Sequence, residues 1–243
     1  MVSVVFMTQI YYFCCYKKNI GGLPEWLNGT VLKTVIRETV SGVRIPEPPQ
    51  YFMIIQNEHF ISDDENESLL KELEFRFSEL VVEPEPFYFW VDLKNDTSIT
   101  KNPLFLRVYN RLLQLVKKET GESLRMSYFG FAIQTKGFDY HADSVWPENA
   151  SDRNLGTPQI NENTYKNYSG LWIPNYVPDR KFTTVLYLND NINGGETHFP
   201  TQQLLVKPQK NKVVGFECDE NHVHGVMPTT QGVRKAFISW YEN

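Results

Sequence analysis

The chain has 243 residues, 41% hydrophobic, 22% charged and 14% aromatic, which is the balance of a globular protein with one sizeable core. A net charge of −5 and a pI near 5.6 argue against a protein built mainly to grip nucleic acid, which needs a basic face. No run reaches the ~18 apolar residues of a membrane span, and Cys14, Cys15 and Cys218 form no spaced disulfide framework. The expected setting is therefore a reducing, intracellular one, the cytoplasm, with a phage or bacterial gene as a candidate origin.

Residues 1–16, MVSVVFMTQIYYFCCY, are apolar but lack the basic start and small-residue cleavage site of a signal peptide. Residues 21–50 carry no helical or strand period that could bury a face, and they end in a proline-rich run. Read back through the genetic code, they resemble a transfer-RNA gene translated out of context. GVRIP at 42–46 allows codons containing GTTCGAATCC, the sequence of a T-arm, EWLNG fits a D-arm and VLKT an anticodon loop. Residues 1–52 are therefore expected to be a non-native or disordered extension, with a single domain spanning 53–243. Five of the 24 basic and three of the 29 acidic residues precede Met53, so the domain itself carries −7.

From Met53 the sequence is regular. MIIQNEHFI reads as a short strand. Ser62 and Glu65 form a capping box ahead of a helical stripe at Leu69, Leu70, Leu73, Phe77 and Leu80. FYFWVDL (87–93) reads as a strand. A second helix has Asn102 as N-cap, Pro103 at N1, an apolar face of Phe105, Val108, Tyr109, Leu112 and Val116, and Gly121 as its stop. Five strand-like runs follow at 124–134, 182–189, 204–209, 212–217 and 234–241, rich in β-branched and aromatic residues. Two helices followed by many strands predict a mainly β fold, an antiparallel sandwich or jelly roll backed by helices.

Residues 146–180 interrupt this pattern with a long polar stretch that still carries Trp146, Trp172 and Tyr176. Connections of this length in compact domains are usually functional or disordered. The three aromatics are candidates for a substrate-facing lid, with an ordered surface excursion as the alternative.

FDYHADSV (138–145) sets His141 and Asp143 two positions apart, which on a strand gives both side chains one face. NHVHGVMPTTQGVR offers His222 or His224 as a third ligand, with Arg234 beyond. Two histidines and a carboxylate on one face, leaving three positions open, suit non-haem Fe(II) chemistry with O₂. His198 and His59 have no partner at ligand spacing and read as structural.

Over residues 124–243 the sequence resembles the 2-oxoglutarate- and Fe(II)-dependent dioxygenases, in particular the prolyl 4-hydroxylase-like group. The ordered pieces are His141–Asp143, TTVLYLND (183–190), GGETHFP (194–200), KVVGFE (212–217) and HGVMPTTQGVRKAFISWY (224–241). The family places its distal metal histidine ten residues before the basic residue that binds 2-oxoglutarate. That spacing selects His224 with Arg234 and leaves His222 as a polar neighbour. Arg234 suits the task, since a planar fork holds a carboxylate bidentately. Tyr187 matches a family tyrosine whose hydroxyl touches the same carboxylate. Phe131 and Phe138 stand where the family often has tyrosines, and Trp240 stands where the nucleic-acid demethylases of the superfamily carry a second arginine.

The resemblance implies a double-stranded β-helix core, a metal triad of His141, Asp143 and His224, and a co-substrate site at Arg234 and Tyr187. It implies Fe(II), 2-oxoglutarate and O₂ as cofactor and co-substrates, with L-ascorbate a candidate auxiliary reductant. No protein acid or base is required beyond these groups. The implied reaction is hydroxylation of an unactivated C–H bond, with a peptidyl proline as the first candidate, coupled to decarboxylation of 2-oxoglutarate to succinate and CO₂. A small-molecule or nucleobase substrate, and a non-enzymatic metal-binding jelly roll, are the alternatives. Neither nucleic acid nor a membrane is expected as a partner.

Overall fold

The computed structural model describes residues 2–5, 54–77, 87–93, 101–148, 171–175 and 177–243. Contacts divide the chain into residues 1–6 with 52–243 and residues 7–51, the second unit lying outside the described residues. In chain order the strands of the larger sheet are β1 (Val2–Val5), β2 (Ile54–Asn57), β3 (Phe87–Asp92), β4 (Arg125–Gln134), β8 (Phe182–Tyr187), β12 (Val213–Glu217) and β15 (Arg234–Glu242). They pair antiparallel in the order β1-β2-β12-β8-β15-β4-β3. A smaller antiparallel sheet runs β11-β10-β13-β5, built from β5 (Phe138–His141), β10 (Thr197–Phe199), β11 (Leu204–Val206) and β13 (His224–Val226). Two ribbons complete the set: β6 (Val145–Pro147) with β7 (Trp172–Pro174), and β9 (Asn193–Gly194) with β14 (Thr229–Gln231).

Both helices form where the sequence places them. In α1 (Asp63–Phe77) the Glu65 N–H donates to Ser62 Oγ and the Ser62 N–H to a Glu65 carboxylate oxygen, which satisfies two orphan donors at the helix start. In α2 (Pro103–Thr120) the Asn102 side-chain oxygen accepts from the N–H groups of Leu104 and Phe105. Gly121 then closes the helix at φ +76, a conformation that costs glycine little, with its N–H donating to the Lys117 carbonyl.

Strand alternation sorts the side chains of the large sheet onto two faces. Phe129, Phe131, Phe182, Leu186 and Phe237 face the helices and pack with Leu69, Leu73, Phe105, Val108 and Leu112 into one dry core. Ile54, Val185, Tyr187, Val214, Phe216 and Ala236 belong to a second cluster with Phe199 and Val206 of the small sheet. The jelly-roll expectation is met, and the site lies on this second face. Phe131, taken in the sequence for a position near the co-substrate, is part of the helix-side core instead.

Two readings need amendment. Val2–Val5, assigned to an extension without a packed face, pairs in register with Ile54–Asn57 at the sheet edge, while residues 6–53 lie outside the described residues. The polar stretch beginning at Trp146 contributes a ribbon, because Val145–Pro147 and Trp172–Pro174 bring its ends together. Among the described residues, no helix is long and apolar enough to cross a membrane.

Candidate metal and carboxylate site

Two of the three candidate ligands are neighbours across a sheet. His141 ends β5, His224 begins β13, and the two are register partners with ring centroids 4.4 Å apart. Gly137 makes this approach feasible at the entry to β5. It sits at φ +79, and a Cβ there would lie 2.5 Å from the Val226 carbonyl oxygen. Asp143 does not continue the strand, as the sequence suggested, but occupies the bend before β6. Ser144 holds that bend by donating its N–H and hydroxyl to the Cys218 carbonyl, and the Asn175 amide donates to the Asp143 carbonyl.

The side chains of His141, Asp143 and His224 offer ligand atoms that all lie within 4.8 Å of one another. Each imidazole is oriented by the backbone. His141 Nδ1 lies 3.0 Å from the Asp139 carbonyl oxygen and His224 Nδ1 3.0 Å from that of His222. A carbonyl only accepts, so each Nδ1 carries the proton and each Nε2 keeps its lone pair for a metal. His141 Nε2 faces Asp143 Oδ1 at 3.5 Å. Burial, reinforced by the neighbouring His141, lowers the His224 pKa to about 4, so the ring is neutral at physiological pH. Burial works against ionisation of Asp143, but its polar surroundings, the close-lying His141 and the Arg180 cation among them, outweigh it and hold the carboxyl well below its usual range.

The other oxygen of Asp143 is also engaged. Oδ2 accepts a short hydrogen bond from the Thr183 hydroxyl and a second from Trp240 Nε1 at 3.1 Å. Thr183 Oγ1 lies 3.1 Å from Cys218 Sγ. Since the threonine proton goes to the carboxylate, the thiol must be the donor in that contact, consistent with burial pushing the Cys218 pKa well up.

Arg234, at the start of β15, is 1% exposed. Its Nη1 donates to the Gln134 side-chain oxygen and its Nη2 to Thr197 Oγ1 at 3.4 Å, while its guanidinium lies 5.2 Å from the centre of the Tyr187 ring. Among the described residues it makes no ion pair, and its buried Nε has no hydrogen-bond partner. A buried cation supported only by neutral oxygens is costly unless an anion completes it. Tyr187 sits beside Arg234 as expected, but its hydroxyl bonds to Thr197 Oγ1 at 2.7 Å, so it reaches the site through that threonine.

One cavity of about 500 Å³ is lined by the three candidate ligands and by Arg234. Tyr128, Phe138, Arg180 and Trp240 form further walls, with Arg180 stacked 4.6 Å from the Trp240 ring and 5.6 Å from that of Tyr128. Two of the three lid candidates are not brought to it. Trp146 is buried on β6, Trp172 packs against Tyr140, Ala142 and Val223, and neither lines the cavity. Tyr176 lies outside the described residues. The polar segment instead delivers Val177 and Arg180.

His222 turns away from the triad, its Nδ1 2.6 Å from Asp219 Oδ1, and His198 Nδ1 is 2.5 Å from the Tyr140 hydroxyl. Sequence reading missed Thr183, Thr197, Gln134, Arg180 and Trp240 as parts of the site. The usable signal was period two: Thr183, Val185 and Tyr187 share one face of their strand, and so do Arg234, Ala236 and Ile238 of theirs.

Residues 133–242 match the model of the 2OG-Fe(II) oxygenase superfamily. Prolyl 3-hydroxylase 1 of Gallus gallus is 36% identical over 67 residues, which are 26% of this chain and 9% of that protein, so the match spans about a tenth of the relative. The viral collagen prolyl hydroxylase of Paramecium Bursaria Chlorella virus-1 superposes with a TM-score of 0.55 at 15% identity, covering 77% of this chain and 94% of its own. A Pseudomonas putida prolyl-4-hydroxylase gives 0.52 at 18% identity, covering 78% and 92%. At these identities the structural likeness concerns the fold.

Proposed function

From the match of residues 133–242 to the 2OG-Fe(II) oxygenase superfamily, we propose that this chain is a 2-oxoglutarate-dependent hydroxylase of peptidyl proline. When bound, Fe(II) and 2-oxoglutarate supply, with O₂, the conversion of a C–H bond to C–OH while 2-oxoglutarate leaves as succinate and CO₂. The observation that carries this reading is the joint presence, in one cavity, of three converging N and O ligands and a buried arginine without an acid.

In this reading His141, Asp143 and His224 would hold the iron, through two imidazole nitrogens and one carboxylate oxygen, a donor set that suits Fe(II). Arg234 binds the distal carboxylate of 2-oxoglutarate, and Gln134 and Thr197 fix the guanidinium in advance. Tyr187 keeps the arginine plane in place from below. Phe138, Val177, Val226 and Ile238 give the cavity apolar walls on which a pyrrolidine can pack. Arg180, stacked on the Trp240 and Tyr128 rings, can donate to a peptide carbonyl there.

Proline as the target is supported by the names of the relatives, which are prolyl 3- and 4-hydroxylases. The test is to incubate the protein with Fe(II), 2-oxoglutarate and proline-rich peptides, following succinate and the gain of one oxygen atom by the peptide. Peptide-stimulated succinate with an oxygen located on proline is the expected result. Succinate formation stimulated by a free amino acid or an oligonucleotide, and by no peptide, would redirect the substrate assignment. Absence of any 2-oxoglutarate turnover would overturn the enzyme reading.

A further inference from the structure

The two oxygens of Asp143 are treated differently by the fold. Oδ1 looks toward His141 Nε2, the side on which the three ligand atoms converge. Oδ2 receives two donors, the Thr183 hydroxyl from β8 and the Trp240 indole N–H from β15. All three residues are more than nine-tenths buried, so water does not compete for these bonds. An ionised carboxylate offers roughly two lone-pair sites on each oxygen. Two donors therefore saturate Oδ2, and only Oδ1 remains able to bind a cation.

We propose that Thr183 and Trp240 are positioning residues that clamp Asp143 as a one-oxygen ligand. The inference rests on reading the triad as a metal site. The physical reason is coordination number. A carboxylate free to rotate can bind through both oxygens and occupy one of the positions that a chelating co-substrate and O₂ need. With Oδ2 tied back to the large sheet, the protein contributes three donor atoms and no more. Both donors are held in turn: Cys218 donates its thiol proton to Thr183, and the Arg180 guanidinium covers the face of the Trp240 ring. Their strands are adjacent, with Trp240 and Thr183 in register, so one rung of the ladder supplies the whole clamp.

The test uses the full chain and Co(II) as probe, titrated without oxygen and followed by its visible absorption and by calorimetry. Thr183→Val removes the hydroxyl at constant shape, Trp240→Phe removes the indole N–H, and Thr183→Ser keeps the donor. The first two should each weaken Co(II) binding by about 10- to 100-fold, the usual effect of losing a residue that orients a metal ligand. They should also change the visible bands as Asp143 gains freedom, whereas Thr183→Ser should retain both affinity and spectrum. His224→Ala separates the two readings. If the unaltered chain does not bind Co(II), or His224→Ala binds it equally well, the triad reading fails. If His224→Ala loses the ion while Thr183→Val and Trp240→Phe keep the original affinity and bands, the clamp fails and the triad stands. A Thr183→Ser chain as weak as Thr183→Val would also overturn the clamp, because packing rather than the hydrogen bond would then be responsible.

Discussion

The two faces of the seven-stranded sheet share the same strands and do different work. On β15, Phe237 turns to the helices and stacks on Phe129 at 5.2 Å, while Arg234 and Trp240 turn to the cavity. On β4, Phe129 and Phe131 face the helices, and Tyr128 and Gln134 the cavity. The helix side is apolar and closed. The cavity on the other side receives the Arg234 guanidinium, which makes no ion pair among the described residues, together with a carboxylate and two imidazoles from the facing segments, groups costly to bury without partners. The difference teaches that period two lets one strand separate stability from chemistry: a residue's parity decides which of the two a substitution damages.

The sharpest way to break this division is a matched pair of substitutions. His224→Ala should abolish 2-oxoglutarate turnover and leave the melting temperature of the metal-free chain close to that of the metal-free parent. Phe237→Ala, on the helix side of the large sheet, should cost about 3–5 kcal/mol of stability while the folded fraction keeps its metal affinity. Chemical denaturation and metal titration on both variants decide it, and equal effects on both readouts would dissolve the distinction between faces. A smaller effect is expected at Arg234. Arg234→Lys keeps the charge but loses the fork, so KM for 2-oxoglutarate should rise roughly 10- to 100-fold, the worth of a hydrogen bond to a charged group. An unchanged KM would assign the carboxylate to another residue.

Smaller again is a pH effect confined to the site face. His224 has a folded-state pKa near 4 against an ordinary value of 6.5. Between those values the unfolded ring takes up a proton that the native ring refuses, so stability falls as pH drops through that window. Asp143, also lowered in the folded state, adds to the loss below its ordinary 3.8. Melting temperature against pH for the metal-free chain should show this slope, and His224→Gln should flatten its upper part. A slope unaltered in His224→Gln would show that other groups cause it. The smallest effect concerns the amino terminus, which we propose to be dispensable. A chain beginning at Met53 loses, of the described structure, only the ladder between β1 and β2, and should keep full turnover with a melting temperature lowered by a few degrees at most. Unfolding of that shorter chain would end the proposal.

What could be read from the sequence was local. The capping box at Ser62 and Glu65 and the cap at Asn102 involve groups no more than three residues apart. The long β-branched runs announced β4, β8, β12 and β15. His141, Asp143, His224 and Arg234 were legible through fixed spacings within a family pattern. What stayed hidden was long-range. Thr183 and Trp240 reach Asp143 across 40 and 97 residues, and no window along the chain connects them. The three-residue strands of the small sheet were equally silent, since a run that short carries no period. The lid assignment went astray for a similar reason: a tryptophan in a polar stretch packs on something, and Trp172 packs on Tyr140, Ala142 and Val223.

The pairing of His141 with His224 has one more consequence. It joins the outermost strand of the small sheet to its neighbour, between segments more than eighty positions apart in the chain. An ion gripped by both rings is therefore a reversible cross-link, absent from the unfolded polypeptide. At a free iron concentration one hundred times the dissociation constant, such a link is worth about 2.7 kcal/mol of added stability. If His141 and His224 hold the iron as proposed, iron supply would govern how long the protein persists as well as how fast it works. In an iron-starved cell, chaperones and proteases would meet more of the opened form, and its abundance would follow the metal.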